Sequence, residues 1–261
     1  MSDILKVSIV QSDIFWEDKI KNLAYYTHLI ESLSEFPDLL IFPEMFTTGF
    51  SNQPDGLAEE MDGATVTWMM KVAGKYNLFI CGSLILKEKD NYFNRFVLVS
   101  PSGNLQYYDK RHLFKLNDEE SAYTIGNERK IFSIGQWRVC PQICYDLRFP
   151  VWSRIVNDYD LLIYVANWPE SRHVVWTTLI SARAIENMSY CIGANRIGLD
   201  GNGISYIGES MIVNPKGQIV SNIEPGNEGI VTASLSLQEL KKFRNSFPVL
   251  NDADKFKIED N

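Results

Sequence analysis

The strongest constraint on the fold is a recurring kind of segment: a short, predominantly apolar run that stops abruptly at a polar or proline residue. Leu5 to Gln11, Asp38-Leu39-Leu40-Ile41-Phe42-Pro43 and Asp160 to Ala166 all have this form. Runs this short and apolar on both faces read as strands covered on both sides. Between the first of them lie amphipathic stretches. Asp18 to Leu33 places Ile20, Leu23, Ala24, Leu29, Ile30 and Leu33 near helical spacing, and Thr65 to Tyr76 reads as a second helix. Hairpins crowd the middle and end. Leu78 to Leu86, Tyr92 to Ser100 and Leu105 to Tyr108 read as strands, with Pro101-Ser102-Gly103-Asn104 as a turn. Lys130 to Ile134 pairs with Trp137 to Ile143 across Gly135. After a helix over Trp176 to Asn187 come strands at Tyr190 to Arg196, Ser210 to Asn214, Gln218 to Ile223 and Gly229 to Leu235, then a short helix from Leu237 to Arg244. Mixed sheets with helices outside follow: an α/β layered sandwich. No internal repeat or low-complexity tract is visible.

The chain has 261 residues without a Pro/Gly/Ser-rich linker or charge block. One domain over residues 1–261 is therefore expected, with a polar tail over roughly 248–261 on the surface or against a partner subunit. A net charge of −8 argues against a nucleic-acid partner, which would need a basic face. No apolar leader follows Met1, and stretches such as Leu161 to Ala166 are too short to span a bilayer, so a cytoplasmic protein with no membrane partner is expected. Cys81, Cys140, Cys144 and Cys191 form no CxxC pair, and no histidine stands at metal-ligand spacing from them, so neither disulfide nor metal is expected.

Chemistry concentrates where apolar runs end. Val139-Cys140-Pro141-Gln142-Ile143 carries the backbone into Cys144, and polar Asp146 and Arg148 follow before Pro150 and a short helix over Val151 to Val156. A residue at such a strand-to-helix turn projects from the sheet end with N–H groups behind it. That setting favours a thiolate and stabilises an oxyanion formed on it. A buried structural thiol is the alternative, and it is the reading for Cys81, Cys140 and Cys191. The three histidines are poor bases: His28 is mid-helix, and His112 and His173 have no orienting carboxylate beside them in sequence. Glu44 is a better candidate, because it follows an apolar strand and is flanked by Phe42, Met45 and Phe46. A desolvated carboxylate there suits proton transfer; a capping or solvated glutamate is the alternative. Lys110 ends a strand among aromatics and is either an oxyanion stabiliser or part of a surface basic cluster. Glu119 and Glu120 form either a solvated acidic loop or an arm that returns to orient Lys110.

Taken in order, Phe42-Pro43-Glu44, Tyr108-Asp109-Lys110-Arg111-His112-Leu113-Phe114 and Ile143-Cys144-Tyr145-Asp146-Leu147-Arg148-Phe149-Pro150 resemble the nitrilase superfamily of carbon–nitrogen hydrolases over essentially the whole chain. True nitrilases typically carry Trp and Glu after the cysteine. The Cys-Tyr-Asp-Leu-Arg-Phe form here, with Pro150-Val151-Trp152-Ser153-Arg154 and Asn167-Trp168-Pro169-Glu170-Ser171-Arg172, is similar to bacterial ω-amidases.

The resemblance implies a four-layer αββα sandwich, usually a homodimer, in a single domain. It implies Glu44 as general base, Lys110 as oxyanion stabiliser, Cys144 as nucleophile, Glu119 as auxiliary glutamate and the Tyr145 N–H as the second oxyanion donor. The implied substrate is a small 2-oxo dicarboxylic acid monoamide, such as 2-oxoglutaramate or 2-oxosuccinamate, and no cofactor or metal is needed. Such a substrate has a free carboxylate, for which Arg172, Arg148 and Arg196 are candidates, with Arg148 read slightly in favour of a structural ion pair. Phe46 and Trp168 are expected to wall the pocket. An N-carbamoyl amino-acid hydrolase, a deaminated-glutathione amidase and a catalytically silent binding subunit are the alternatives.

Overall fold

A computed structural model of the chain describes residues 3–156 and 158–258. The first half runs β1 (Ile4–Gln11), α1 (Lys19–Glu31), β2 (Leu39–Ile41), α2 (Ala64–Tyr76), β3 (Phe79–Glu88), β4 (Asn91–Val99), β5 (Leu105–Asp109) and α3 (Glu119–Ala122). The second runs β6 (Phe132–Ile134), β7 (Trp137–Ile143), α4 (Pro150–Ser153), β8 (Leu161–Ala166), α5 (His173–Glu186), β9 (Tyr190–Asn195), β10 (Ile197–Leu199), β11 (Ser205–Ile207), β12 (Met211–Val213), β13 (Ile219–Asn222), β14 (Gly229–Ser236) and α6 (Leu237–Ser246).

Two six-stranded mixed sheets result, ordered β14-β1-β2-β3-β4-β5 and β13-β12-β9-β8-β7-β6, beside a small β10-β11 ribbon. The first sheet, from β14, pairs antiparallel, parallel, parallel, antiparallel, antiparallel. The second, from β6, repeats that sequence of pairings. The central parallel triplets β1-β2-β3 and β7-β8-β9 are thus equivalent, a structural repeat that left no readable trace in the sequence.

Layering explains the apolar runs. Along β8, Leu161, Ile163 and Val165 pack with Val7, Ile9, Leu39 and Ile41 of the first sheet in the layer between sheets. The alternate residues Leu162, Tyr164 and Ala166 pack with Trp176, Ile180 and Ala184 of α5. The opposite outer layer joins Leu40 and Ile80 to Tyr26, Ile30, Val66 and Met69 of α1 and α2. Both faces of β2 and β8 are buried, which is why no polar alternation interrupts their runs. This is the expected four-layer αββα arrangement in a single domain.

Some boundaries moved. Ile20, counted on the apolar face of the first helix, is 84% exposed. Asn22 takes the inward position instead, because its amide donates to the Phe15 and Thr47 carbonyls and accepts from the Phe15 N–H. The short helix after Cys144 stops at Ser153, and the β10-β11 ribbon was not anticipated. After a 3-10 turn at Val249–Asp252 the tail is exposed as far as residue 258, and residues 259–261 lie outside the described residues. Among the described residues, no helix is long and apolar enough to cross a membrane.

Candidate active site

The sheets bring the ends of β2, β5, β7 and β8 together. Cys144 follows β7 and opens a 3-10 turn, Cys144–Arg148, in which its φ is +44°. Left-handed backbone at a non-glycine residue is strained and is held only where the surroundings over-determine it. The first residues of such a turn leave their N–H groups without acceptors inside it, and Tyr145 is in that position.

Glu44 follows β2 by way of Phe42 and Pro43 and is fully buried. Its carboxylate is fixed on every side. Oε1 accepts from Asn94 Nδ2 at 2.7 Å and from Lys110 Nζ at 3.0 Å. Oε2 accepts from the Asn167 N–H at 2.8 Å, and the Asn167 amide donates to the Glu44 carbonyl at 2.6 Å. Asn167 follows β8, the structural counterpart of β2, so equivalent strand ends face each other across the site. Asn94 is anchored in turn by Ser83 Oγ at 2.8 Å.

Lys110 follows β5 and is 1% exposed. Its ammonium lies 2.8 and 3.0 Å from the two Glu119 oxygens, besides its bond to Glu44. Burial works against this charge, but the fields of Glu119 and Glu44 outweigh it and hold the lysine protonated well above its ordinary range. Glu119 is carried in by α3 and is fixed by the Phe114 N–H at 2.6 Å. Burial pushes its carboxyl up, Lys110 opposes that, and Glu44 adds to it. Glu120 stays outside and pairs with Lys115. The ammonium's three N–H groups meet three carboxylate oxygens, two of Glu119 and one of Glu44, while Lys110 also lines the cavity.

The Cys144 thiol differs from expectation. Burial, then the negative charge of Glu44, push it well above its ordinary value, and Lys110 only partly offsets them. Cysteine partly exposed to the cavity thus carries a sulfur densely surrounded by protein. The Cys144 sulfur donates to the Asn167 carbonyl at 3.9 Å, and a neutral thiol within the field of the Glu44 carboxylate is set up for proton transfer during attack, not for a standing thiolate.

A cavity of about 530 Å³ opens onto Cys144 and Lys110. Its walls include Tyr145, Trp168, Arg148 and Arg172, together with Phe50, Phe114 and Tyr206. Phe46 is not a wall. It is fully buried in the outer core, stacked on Phe42 and edge-on to Tyr26, because the bend after Glu44 turns it back beneath the sheet. Phe50 takes the expected place, its ring 5.2 Å from Lys110 Nζ. Arg196 is excluded as a ligand-binding group: it is buried, pairs with Asp13 at 2.6 Å and stacks on Tyr206. Arg148 makes no ion pair with an acidic side chain among the described residues. Its guanidinium lies over Trp168, which corrects the structural reading. Arg172 lies over Phe114. Asn94 and Asn167 were missed. Asn94 carried a signal, since a polar side chain inside the apolar strand Tyr92 to Ser100 requires a buried partner. Among the described residues, no three His, Cys, Asp or Glu side chains converge so as to hold a metal ion.

A carboxylate and a thiol after the parallel strands β2 and β7 and a buried ammonium after the antiparallel strand β5 form one contiguous cluster of the kind that cysteine-dependent hydrolysis requires. Residues 6–245 match the carbon–nitrogen hydrolase family, and the chain belongs to it. It is 42% identical to the omega-amidase YafV of Escherichia coli over 97% of this chain and 98% of that protein. It is 33% identical to the 2-oxoglutaramate amidase of Bacillus subtilis over 94% of this chain and 96% of that one. Among solved structures, XC1258 of Xanthomonas campestris, a CN-hydrolase superfamily protein with an arsenic adduct in its active site, is 42% identical. It superposes with a TM-score of 0.95 over 99% of this chain and all of that one. The protein is a hydrolase of carbon–nitrogen bonds of amidase type.

Proposed function

We propose that the chain hydrolyses the terminal amide of small 2-oxo dicarboxylic acid monoamides, such as 2-oxoglutaramate and 2-oxosuccinamate, through a thioester on Cys144. The observation that carries this reading is the polarity of the cavity. Cys144 and Lys110 supply a reactive end, while Arg148 and Arg172 supply cations that no carboxylate of the described residues neutralises. A substrate with an amide at one end and a carboxylate at the other matches that pattern. The activities named for the Escherichia coli and Bacillus subtilis relatives support it.

Glu44 takes the Cys144 proton as sulfur attacks the amide carbon. The Lys110 ammonium and the Tyr145 N–H stabilise the oxyanion. The C–N bond breaks, the proton passes from Glu44 to the leaving nitrogen, and ammonia departs from an acyl-thioester. Water then gives a proton to Glu44 and its oxygen to the acyl carbon, and the C–S bond breaks as Glu44 returns that proton to sulfur, which releases the acid and restores the thiol. Glu119 holds Lys110 in place throughout.

The test is ammonia release from 2-oxoglutaramate by the wild type and by Cys144→Ala, with mass spectrometry of acid-quenched enzyme. Release by the wild type alone, with an acyl adduct on the peptide containing Cys144, supports the reading. No release from any 2-oxo amide, with release from a carbamoyl amino acid, would replace the substrate class.

A further inference from the structure

His112, set aside as a base, and Asp146, read as a polar residue after the strand, meet in the structure. Asp146 is fully buried and accepts four hydrogen bonds. One comes from its own turn: the Ile143 N–H reaches Oδ2 at 3.0 Å. Three come from the segment around Lys110. The Tyr108 hydroxyl donates to Oδ2 at 2.8 Å, and the His112 N–H and ring Nδ1 donate to Oδ1 at 2.9 and 2.8 Å. A carboxylate only accepts, so the pairing assigns the proton to Nδ1. The ring is held flat on Phe149, with centroids 3.8 Å apart, and the Tyr108 hydroxyl is fixed by Trp152 Nε1 at 3.0 Å.

Lys110 sits between Tyr108 and His112 in sequence, and its backbone N–H bonds to Asn94 of the first sheet. Cys144 and Tyr145 belong to a turn of the second sheet. The two sheets meet mostly through apolar side chains, which fix spacing but impose little direction. We infer that Asp146, gripped by His112 and Tyr108, is a positioning group that locks Lys110 and the Tyr145 N–H into one rigid oxyanion hole. This rests on the oxyanion roles proposed above for Lys110 and Tyr145. The bond from the Ile143 N–H also closes the turn that contains the strained backbone of Cys144.

The test uses His112→Phe, which keeps a ring over Phe149 but removes the Nδ1 donor, and His112→Asn, whose amide nitrogen replaces Nδ1. Tyr108→Phe serves as a second probe of the same carboxylate should the His112→Phe protein fail to fold. Two reactions of Cys144 are compared: acylation by p-nitrophenyl acetate, which passes through an oxyanion, and alkylation by iodoacetamide, which does not. Misplacing one donor should slow acylation, and kcat for the amide, by about 10- to 100-fold in His112→Phe, with KM and alkylation within about twofold. His112→Asn should recover most of the loss. Equal slowing of both reactions, no slowing, or a His112→Asn protein as slow as His112→Phe would overturn the inference. The acylation pattern without ammonia release from 2-oxo amides by the wild type would overturn the substrate reading and leave the clamp standing. A wild type that the ester does not acylate would overturn the oxyanion hole and the clamp together.

Discussion

Replacing Glu119 by Gln tests whether Lys110 works as one half of an ion pair. The ammonium lies within 3.0 Å of both Glu119 oxygens and of Glu44 Oε1. On its far side Glu119 also accepts from the Phe114 N–H at 2.6 Å. A carboxylate accepts from both directions, whereas a carboxamide has one acceptor and one donor group. In either orientation its NH₂ faces a donor, the ammonium or the Phe114 N–H. The loss of one charge-assisted bond is worth about 1.5–3 kcal/mol. If this falls wholly on the transition state, kcat drops about 10- to 150-fold at 1.36 kcal/mol per decade. Ammonia release against 2-oxoglutaramate concentration gives kcat and KM directly. Glu119 is one of the charges that raise the Cys144 thiol, so its neutralisation should also move the pH profile of iodoacetamide alkylation to lower pH. A kcat within about threefold of the wild type, where one lost charged bond predicts at least tenfold, would mean that Glu119 acts as a neutral acid and would refute the ion-pair reasoning.

Glu44→Gln removes both the base and the charge that, after burial, most raises the thiol, so amide turnover should fall about 10²- to 10⁴-fold while the alkylation profile moves to lower pH. Steady-state kinetics and alkylation rates read the two effects separately. Arg172→Ala should raise KM about 10- to 150-fold by loss of a charged contact, with little change in thermal stability. Arg196→Ala should instead lower the melting temperature measured by calorimetry and spare KM, because its guanidinium is tied to Asp13 and the Ile197 carbonyl. Phe46→Ala should cost about 3–5 kcal/mol in denaturant unfolding, without a KM change in the protein that remains folded.

The sequence by itself determined the layers and the places where chemistry sits. The runs of β2 and β8 are buried on both faces, and an apolar run's abrupt end at Glu44 or Cys144 marks the mouth of a strand. That much is local, since hydrophobic period and the residue that breaks it are properties of consecutive positions. The repeat of pairing order between the sheets was invisible, because it lives in backbone hydrogen bonds and leaves side chains free to diverge. The fate of each aromatic and arginine was also undetermined. Phe46 and Phe50 lie four residues apart, yet one fills the core and the other walls the cavity, and only the bend after Glu44 separates them. Arg148, Arg172 and Arg196 are chemically equal in sequence. The tertiary structure spends Arg196 on Asp13 and leaves the other two facing the cavity. The partners of Glu44 and Asp146, namely Asn94, Asn167, His112 and Tyr108, come from distant segments. Hydrogen bonds need angle as well as proximity, and only the packing of the two sheets supplies both.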